Sequence, residues 1–429
     1  MAVTTTNTVE ALEGLYKTVY GEGPDFLVPD NVKLYKEIKF AEAERVGKQF
    51  AWPVVLQLEQ GYTYGGTGND AFALNEAVSG LMDEAYIDGS EGLLRTKMSY
   101  RAASKAASSQ AAFKRAMGVS LEMHQKSHVF RRELELLYGR SPTGLGTGTF
   151  SGGSGTGITF TLTAATWAVG IWAGMEGAKF NFFITSSNAL VSSGDDAIFT
   201  LATVDPDTRA LTFVGTSTGV TAAGTNTCWI DFAGARATMV TTHKAFEGLD
   251  YIVTLAAGNT LQGISTNYTL WRGSSYAVGS QKLTLQKVLG GANKAVGKAG
   301  LNEPAKLFVS PETWVDLADS MSATRMTDSS YSTSEGKNGV EKVIYHGANG
   351  AIEVVIHNIV KGGEAFLCPM KHLKKIGSTD ITLKNPGNGD KIFLELASNA
   401  GFEYRSYSDF ALLCDAPAKF VKYTGIVNS

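Results

Sequence analysis

Between Lys48 and Lys97 this 429-residue chain has no lysine at all, so no amine chemistry is available along that stretch. Cysteine is scarce too. Cys228, Cys368 and Cys414 lie far apart, with no CxxC or Cys/His spacing, which excludes a zinc knuckle or a disulfide framework. They are expected as small buried thiols in a reducing compartment. Prolines number 10 against 48 glycines, a balance that suits many β-turns. Charged residues make up 18% and the formal net charge is −3, which argues against a free-standing, strongly basic nucleic-acid binder. No run of about 18 apolar residues spans a membrane. The first ten residues, MAVTTTNTVE, have neither the basic nor the apolar part of a signal peptide. The product is therefore expected in the cytoplasm at first. At 429 residues two or three compact units are expected, and the 44% of hydrophobic residues implies a large buried fraction or extensive subunit contact.

What is present is organised around Ala102–Tyr138. This stretch holds no proline and one glycine, Gly118, and is dominated by strong helix formers. Phe113, Met117, Leu121, His124, His128, Leu134 and Tyr138 recur at steps of three or four, with one longer gap after His128. Gly139 and Pro142 supply the stop. The spacing predicts a helix roughly 55 Å long at 1.5 Å per residue. One narrow stripe on so long a rod predicts a strut that other elements lie across. A coiled coil is the plainer alternative, but no strict heptad is sustained.

Before the strut, residues 1–48 read as an arm with short elements, broken by Pro24 and Pro29. Residues 49–101 read as two strands, the second within EGLLRTKMSYRA, leaving the body and returning as a projecting hairpin around Tyr62–Asp88. Such a lobe is poorly stable unless a neighbour covers it. After the strut, SPTGLGTGTFSGGSGTG reads as a flexible joint. The runs ITFTL, KFNFFI, AIFTLATV, RALTFVG and CWIDF then predict a small inserted all-β module. SQKLTLQKVLGGANKAVGKAG is helix-like. From 302 the pattern alternates: strand AKLFVS, Ser310 as N-cap, Pro311 at N1, a short helix, then the strands VEKVIYHG, AIEVVIHN and EAFLCP. A polar loop stands at MTDSSYSTSEGKNG and a turn at KNPGNGD, with further strands to the end.

Catalytic and ligand signatures are weak throughout. His124 and His128 stand at i, i+4, as in zinc-protease helices, but Gln-Lys-Ser separates them and the glutamate base is missing, so packing or hydrogen bonding is expected. Gly291–Lys298 departs from a phosphate loop in spacing and has Ala299 where Ser or Thr is needed. Asp195, Asp196, Asp205 and Asp207 are expected as turn acids and not calcium ligands, and Asp83-Glu84 as a solvated pair. No cofactor, metal site or enzyme activity is expected.

Several segments carry a resemblance. FEGLDYIVTLAAGNTLQGIS (246–265), YTLWR (268–272), AKLFVSPETWVDLADS (305–320) and YRSYSDFALLCDAPAKFVKYTGI (404–426), in this order after an arm, a lobe and a strut, resemble the major capsid proteins of tailed double-stranded DNA phages. The resemblance implies an α+β chain of the Hong Kong 97-type capsid fold. It divides the chain into an N-terminal arm (1–48), an extended loop (49–101), a spine helix of the peripheral domain (102–145), an inserted β-rich domain (146–243, with VDPDTRALTFVG), the continued peripheral domain (244–301), an axial domain (302–380) and return strands (381–429). The loop 322–339 would face the capsomer centre. The implied function is self-assembly through pentamers and hexamers into an icosahedral shell around double-stranded DNA. The implied partners are copies of itself, portal and scaffold proteins, and a decoration protein, with no membrane. The implied location is the virion capsid, assembled in the host cytoplasm. Lys114, Arg115, Lys126, Arg131 and Arg132 on the spine become candidate lumen-facing phosphate contacts that read no bases; solvation or pairing with neighbouring subunits is the alternative.

Two departures from the family matter. Some members weld subunits through an extended-loop lysine; between Lys48 and Lys97 this chain has none, so no covalent mesh is expected. The arm is also too short to include a scaffolding segment, which implies a separate scaffold or a removed one. Two other readings stay open: a nanocompartment shell of the same fold, and a receptor- or glycan-binding protein using Trp167, Trp172, Phe182 and Trp229 of the insert.

Overall fold

The computed structural model describes residues 31–41, 50–68, 71–99, 110–239, 242–325, 343–347, 350–384, 392–396 and 401–428, with backbone alone at 110–117, 321–325 and 346–347. The expectations for residues 1–30 and 42–48 of the arm, 102–109 of the strut, most of the loop 322–339 and the turn KNPGNGD lie outside the described residues.

In chain order the first elements are helix α1 (Leu34–Glu37), strands β1 (Phe50–Gln57), β2 (Leu81–Ile87) and β3 (Ser90–Ser99), and the long helix α2 (Gln110–Tyr138). The next group is β4 (Gly146–Ser154), β5 (Gly157–Leu162), α3 (Val169–Trp172), β6 (Lys179–Ile184), β7 (Phe199–Asp205), β8 (Ala210–Val214), α4 (Ser217–Ala223) and β9 (Thr227–Phe232). Then come α5 (Leu249–Thr254), β10 (Thr260–Leu261), β11 (Ile264–Ser265), β12 (Ser274–Gln281), α6 (Leu285–Ala299), β13 (Ala305–Val309) and α7 (Pro311–Arg325). The remainder is β14 (Val343–Gly347), β15 (Gly350–Ile356), β16 (Glu364–Cys368), β17 (Leu373–Thr382), β18 (Phe393–Glu395), β19 (Gly401–Cys414) and β20 (Val421–Ile426).

Helix α2 has 29 residues, about 43 Å at 1.5 Å each. It is two objects in one. Across the middle only His124 and His128 form a buried line. From Arg132 to Gly139 nearly every residue is covered, including Leu134, Leu136, Leu137 and Tyr138. The expectation of one narrow stripe along its whole length is therefore corrected: the C-terminal turns are embedded in the main core, and only the earlier turns remain thinly clad.

A second correction concerns the hairpin. The strand that pairs with β1 is β2, in register Phe50↔Ile87 to Val54↔Asp83. β3, which reads in sequence as the returning strand, instead lies against β19 from Ser90↔Phe410 to Ser99↔Gly401. Its strict half-buried alternation suits one covered face. β19 is the centre of that sheet, with β17 and β18 also antiparallel to it.

The segment from Gly146 is likewise not a joint. β4 to β9 close a six-stranded barrel in the order β4-β5-β8-β7-β6-β9. Four of the seven glycines that make the segment read as flexible, Gly144, Gly146, Gly148 and Gly153, are demanded by packing. A Cβ at Gly148 would lie 2.3 Å from the Thr161 carbonyl oxygen, and one at Gly146 would lie 2.6 Å from Leu162. Phe150 in the same strand is buried.

A six-stranded sheet, β12-β20-β16-β13-β15-β14, carries a second core with α6 and α7. β12/β20 and β13/β15 are parallel, and the other pairs are antiparallel. The sequence cues here act as expected. The Ser310 hydroxyl accepts from Thr313 N at 3.2 Å, Pro311 starts α7, and Gly300 closes α6 in the left-handed region at φ 61°.

Candidate assembly surfaces

The lobe is built from β1, β2 and the connection between them. Gln60 and Val78 exchange backbone hydrogen bonds at 2.9 and 2.6 Å, and the Asn75 side chain donates to Tyr62 O at 3.0 Å, so the connection is held in pairs. Its root is anchored: Leu56, Ala85 and Ile87 are buried, and Tyr86 N donates to Gln262 O at 2.8 Å. Beyond the root the apolar side chains point into solvent. Leu58 is 74% exposed, Tyr62 76%, Tyr64 85%, Leu74 80% and Met82 66%. The ring centres of Tyr62 and Tyr64 lie 4.9 Å apart, and this many large apolar side chains exposed in one short lobe marks an interaction surface, whereas single exposed apolar residues do not. Two strands with no covering layer are marginal alone.

The lobe leads through β3 to a buried polar seam between α2 and β19. His124 lies 2.7 Å from Thr96 Oγ and 2.8 Å from Ser406 Oγ. His128 bridges Ser406 and Ser408 at 2.5 and 2.8 Å. The i, i+4 spacing thus places both rings over one strand, where hydroxyls occupy their nitrogens. Burial lowers the pKa of His124. Burial, aided by the Arg132 cation, pushes that of His128 down to about 4. Both rings are neutral near pH 7.

One turn on, Glu133 is fully buried and makes a knot. Its carboxylate accepts from the backbone N–H of Lys33, Leu34 and Tyr35 at 2.8, 2.7 and 2.6 Å, and His357 Nε2 lies 2.8 Å away. One side chain therefore ties α1, α2 and the segment after β15. A second buried group joins Lys422 to Asp250 at 2.5 Å and to Glu364 at 2.7 Å, while Ser141 donates to Asp250 at 2.5 Å. Although burial opposes its charge, the Lys422 and Lys361 ammoniums hold the Asp250 carboxyl below its ordinary range. Neither group was named from sequence. A usable signal was a lone charge inside an apolar run, as in GLDYIV or KFVKYTG.

The five proposed phosphate contacts scatter. Lys126 is exposed and pairs with Glu122 at 2.8 Å. Arg131 bonds Glu135 at 3.1 Å and stacks on Phe232, 3.0 Å from the ring centre. Arg132 is 2% exposed, its guanidinium spent on Glu135, Ser90 O and Ser408, so it belongs to the seam and does not reach a solvent-side phosphate. Lys114 and Arg115 lie on α2 with side chains outside the described residues.

Most aromatics of the insert are buried within it. Trp172 and Phe182 are fully buried and Trp167 nearly so, while Trp229 is half-buried. Phe182 sits within 5.2 Å of the ring centres of Phe150, Phe160, Phe199 and Phe213. The barrel is filled by its own rings. Its acids act locally: Asp205 accepts from Thr208 and from Asp207 N, and Asp196 accepts from Thr216. Among the described residues no three His, Cys, Asp or Glu side chains gather as a metal site, and no helix is long and apolar enough to cross a membrane. All three cysteines are buried and free, and burial raises their thiol pKa values, that of Cys228 to about 12.

No family model matches the chain, and no curated protein does. Among solved structures it is similar to the chain of the cyanophage A-1(L) capsid asymmetric unit, with 13% identity, 99% of each chain covered and a TM-score of 0.54. It is also similar to the capsid of a native GTA particle, with 10% identity, 98% and 99% coverage and a TM-score of 0.49. A third match is the holo-SrpI encapsulin complex of Synechococcus elongatus, with 9% identity, 99% and 96% coverage and a TM-score of 0.44. The first likeness shows a shared fold across the whole chain.

Proposed function

We propose that the chain is a major capsid protein of a tailed double-stranded DNA phage, a structural and non-enzymatic subunit that builds an icosahedral shell through pentamers and hexamers. The observation that carries this reading is the lobe: its root is buried in the chain's own core, while beyond the root its large apolar side chains, Leu58, Tyr62, Tyr64, Leu74 and Met82, stay exposed among the described residues. Together with a fold shared from end to end with a cyanophage capsid chain, that surface fits burial against identical copies. In this reading residues 49–101 are the extended loop, with β1, β2 and their connection as its projecting part, α2 is the spine of a peripheral domain, residues 302–380 make most of an axial domain whose sheet also takes in β12 and β20, and the barrel is an inserted domain. Portal, scaffold and decoration proteins would complete the particle, which would assemble in the host cytoplasm.

Packaged DNA would meet α2 without base readout, through Lys114, Arg115 and Lys126, with Arg131, already bonded to Glu135, as the weakest member. Replacing Lys126 with Gln would then flatten the salt dependence of DNA binding by about 0.9 in log–log slope. Electron microscopy of the purified chain, alone and with a scaffold protein, tests the main reading. Closed shells or capsomer rings support it, and a monodisperse monomer under both conditions rejects it. With no lysine in 49–96, mature particles should run as monomer in denaturing gels, and a covalent ladder would overturn that part.

A further inference from the structure

Charge is segregated along this chain in a way that the near-neutral total conceals. Residues 49–94 contain Glu59, Asp70, Glu76, Asp83, Glu84, Asp88 and Glu91, with no lysine or arginine. Residues 251–302 contain Arg272, Lys282, Lys287, Lys294 and Lys298, with no acid. The first segment is the lobe and its root. Glu59, Glu76, Asp83, Glu84 and Asp88 are all exposed, and none forms an ion pair among the described residues.

The second segment holds β12 and α6. Lys287, Lys294 and Lys298 fall at i, i+7 and i+11, on one side of α6. All three ammoniums turn to uncharged oxygens beside the helix. Lys287 bonds Gln281 Oε1 and Lys282 O at 2.8 and 3.1 Å, Lys294 bonds Ser275 O at 2.8 Å, and Lys298 bonds Gly273 O at 2.9 Å. Within this basic row only Lys282 meets a carboxylate among the described residues, Asp316 at 3.0 Å. Burial, and then the Arg272 cation, pushes Lys298 down to about 8. At one end of the row an open hollow of about 470 Å³ is lined by Ser280, Gln281, Lys282, Thr284, Lys287 and Val427. Val427, 52% exposed, gives it an apolar wall.

We propose that the α6–β12 groove is the receiving surface for the acidic lobe of a second copy of the chain, with lysines facing the lobe's carboxylates and the hollow taking one of its exposed apolar side chains. The proposal rests on the shell reading above. Apolar burial supplies most of the affinity. The charges fix register and speed encounter, because exposed ion pairs are individually worth only about 0–1 kcal/mol.

Zero-length carbodiimide cross-linking of assembled particles, made from mixed light- and heavy-isotope chains, tests it by mass spectrometry. Mixed-isotope links from Glu59, Glu76, Asp83, Glu84 or Asp88 to Lys282, Lys287, Lys294 or Lys298 are expected; links confined to lysines elsewhere would overturn the proposal. A charge exchange gives an independent readout. Glu76→Lys with Asp83→Lys, or Lys287→Glu with Lys294→Glu, should each lower particle yield about tenfold, and the four together should recover most of it. No recovery in a chain that still unfolds cooperatively rejects the pairing. So does a Lys287→Gln/Lys294→Gln variant that assembles normally and loses only packaged nucleic acid, which would give the groove to DNA. If the unaltered chain never forms particles, the shell reading itself fails; particles linked elsewhere sink only this inference.

Discussion

The barrel and the lobe are both antiparallel β structure with many apolar side chains, and they spend them in opposite directions. In the barrel, Phe150, Phe160, Phe180, Phe182, Phe199 and Phe213 turn inward until almost no ring is exposed. In the lobe, Leu58, Tyr62, Tyr64 and Leu74 turn outward. Closure makes the difference: six strands without an edge enclose a core, whereas two strands have no second layer. Sequence hydrophobicity alone therefore does not separate a folding core from a contact surface. The number of layers available to cover it does.

The comparison breaks most visibly at Phe182. Phe182→Ala should cost the isolated chain about 3–5 kcal/mol, read by chemical denaturation. A loss under about 1 kcal/mol would mean that the barrel core is not packed as described.

Acid probes the seam that joins the lobe's following strand to α2. The ring of His128 titrates near 4 when folded and near 6.5 when unfolded, so the unfolded chain binds the proton first. Stability is full above about pH 6.5 and falls by up to about 3 kcal/mol as pH drops toward 4. His128→Gln should flatten that slope, measured as midpoint denaturant concentration against pH; an unchanged slope would assign acid sensitivity elsewhere.

A pair of glycines sharpens the contrast. Gly148→Ala, whose Cβ meets a carbonyl at 2.3 Å, should cost about 1–3 kcal/mol. Gly68→Ala, with nothing within 4 Å of the new carbon, should stay within about 0.5 kcal/mol in the same thermal melts. Equal effects would erase the distinction between the two regions.

The smallest effect on the chain comes from the lobe's rings. Tyr62→Ser with Tyr64→Ser should change monomer stability by under about 0.5 kcal/mol while abolishing particles seen by sedimentation. Normal particles would show that these rings are not contact residues.

Much of this architecture was legible from local chemistry. Helix formers and a Gly139 stop mark α2, Ser310-Pro311 marks α7, and alternating runs mark most barrel strands. What escaped was non-local. β4 hides behind glycines that only its neighbours explain. β3 looks like the partner of β1 until β19, some 300 residues later, claims it. The histidine pair reads as packing or hydrogen-bonding along the helix; its rings instead bond across to Thr96, Ser406 and Ser408, which carry no local mark. Glu133 looks like any helix-surface glutamate until three amides of a distant segment converge on it.

The barrel has one further consequence. Gly146, where it begins, is directly opposite Ile230, near where it ends, and Leu145 N donates to Ile230 O at 2.8 Å. The chain thus departs from and rejoins its course at adjacent points, as a guest seated between two neighbouring hosts. The guest also leans on its hosts: Gly362 N donates to Trp167 O and Gly363 N to Ala165 O, both at 2.9 Å, so a cassette exchanged at this locus would have to carry those two carbonyls with it.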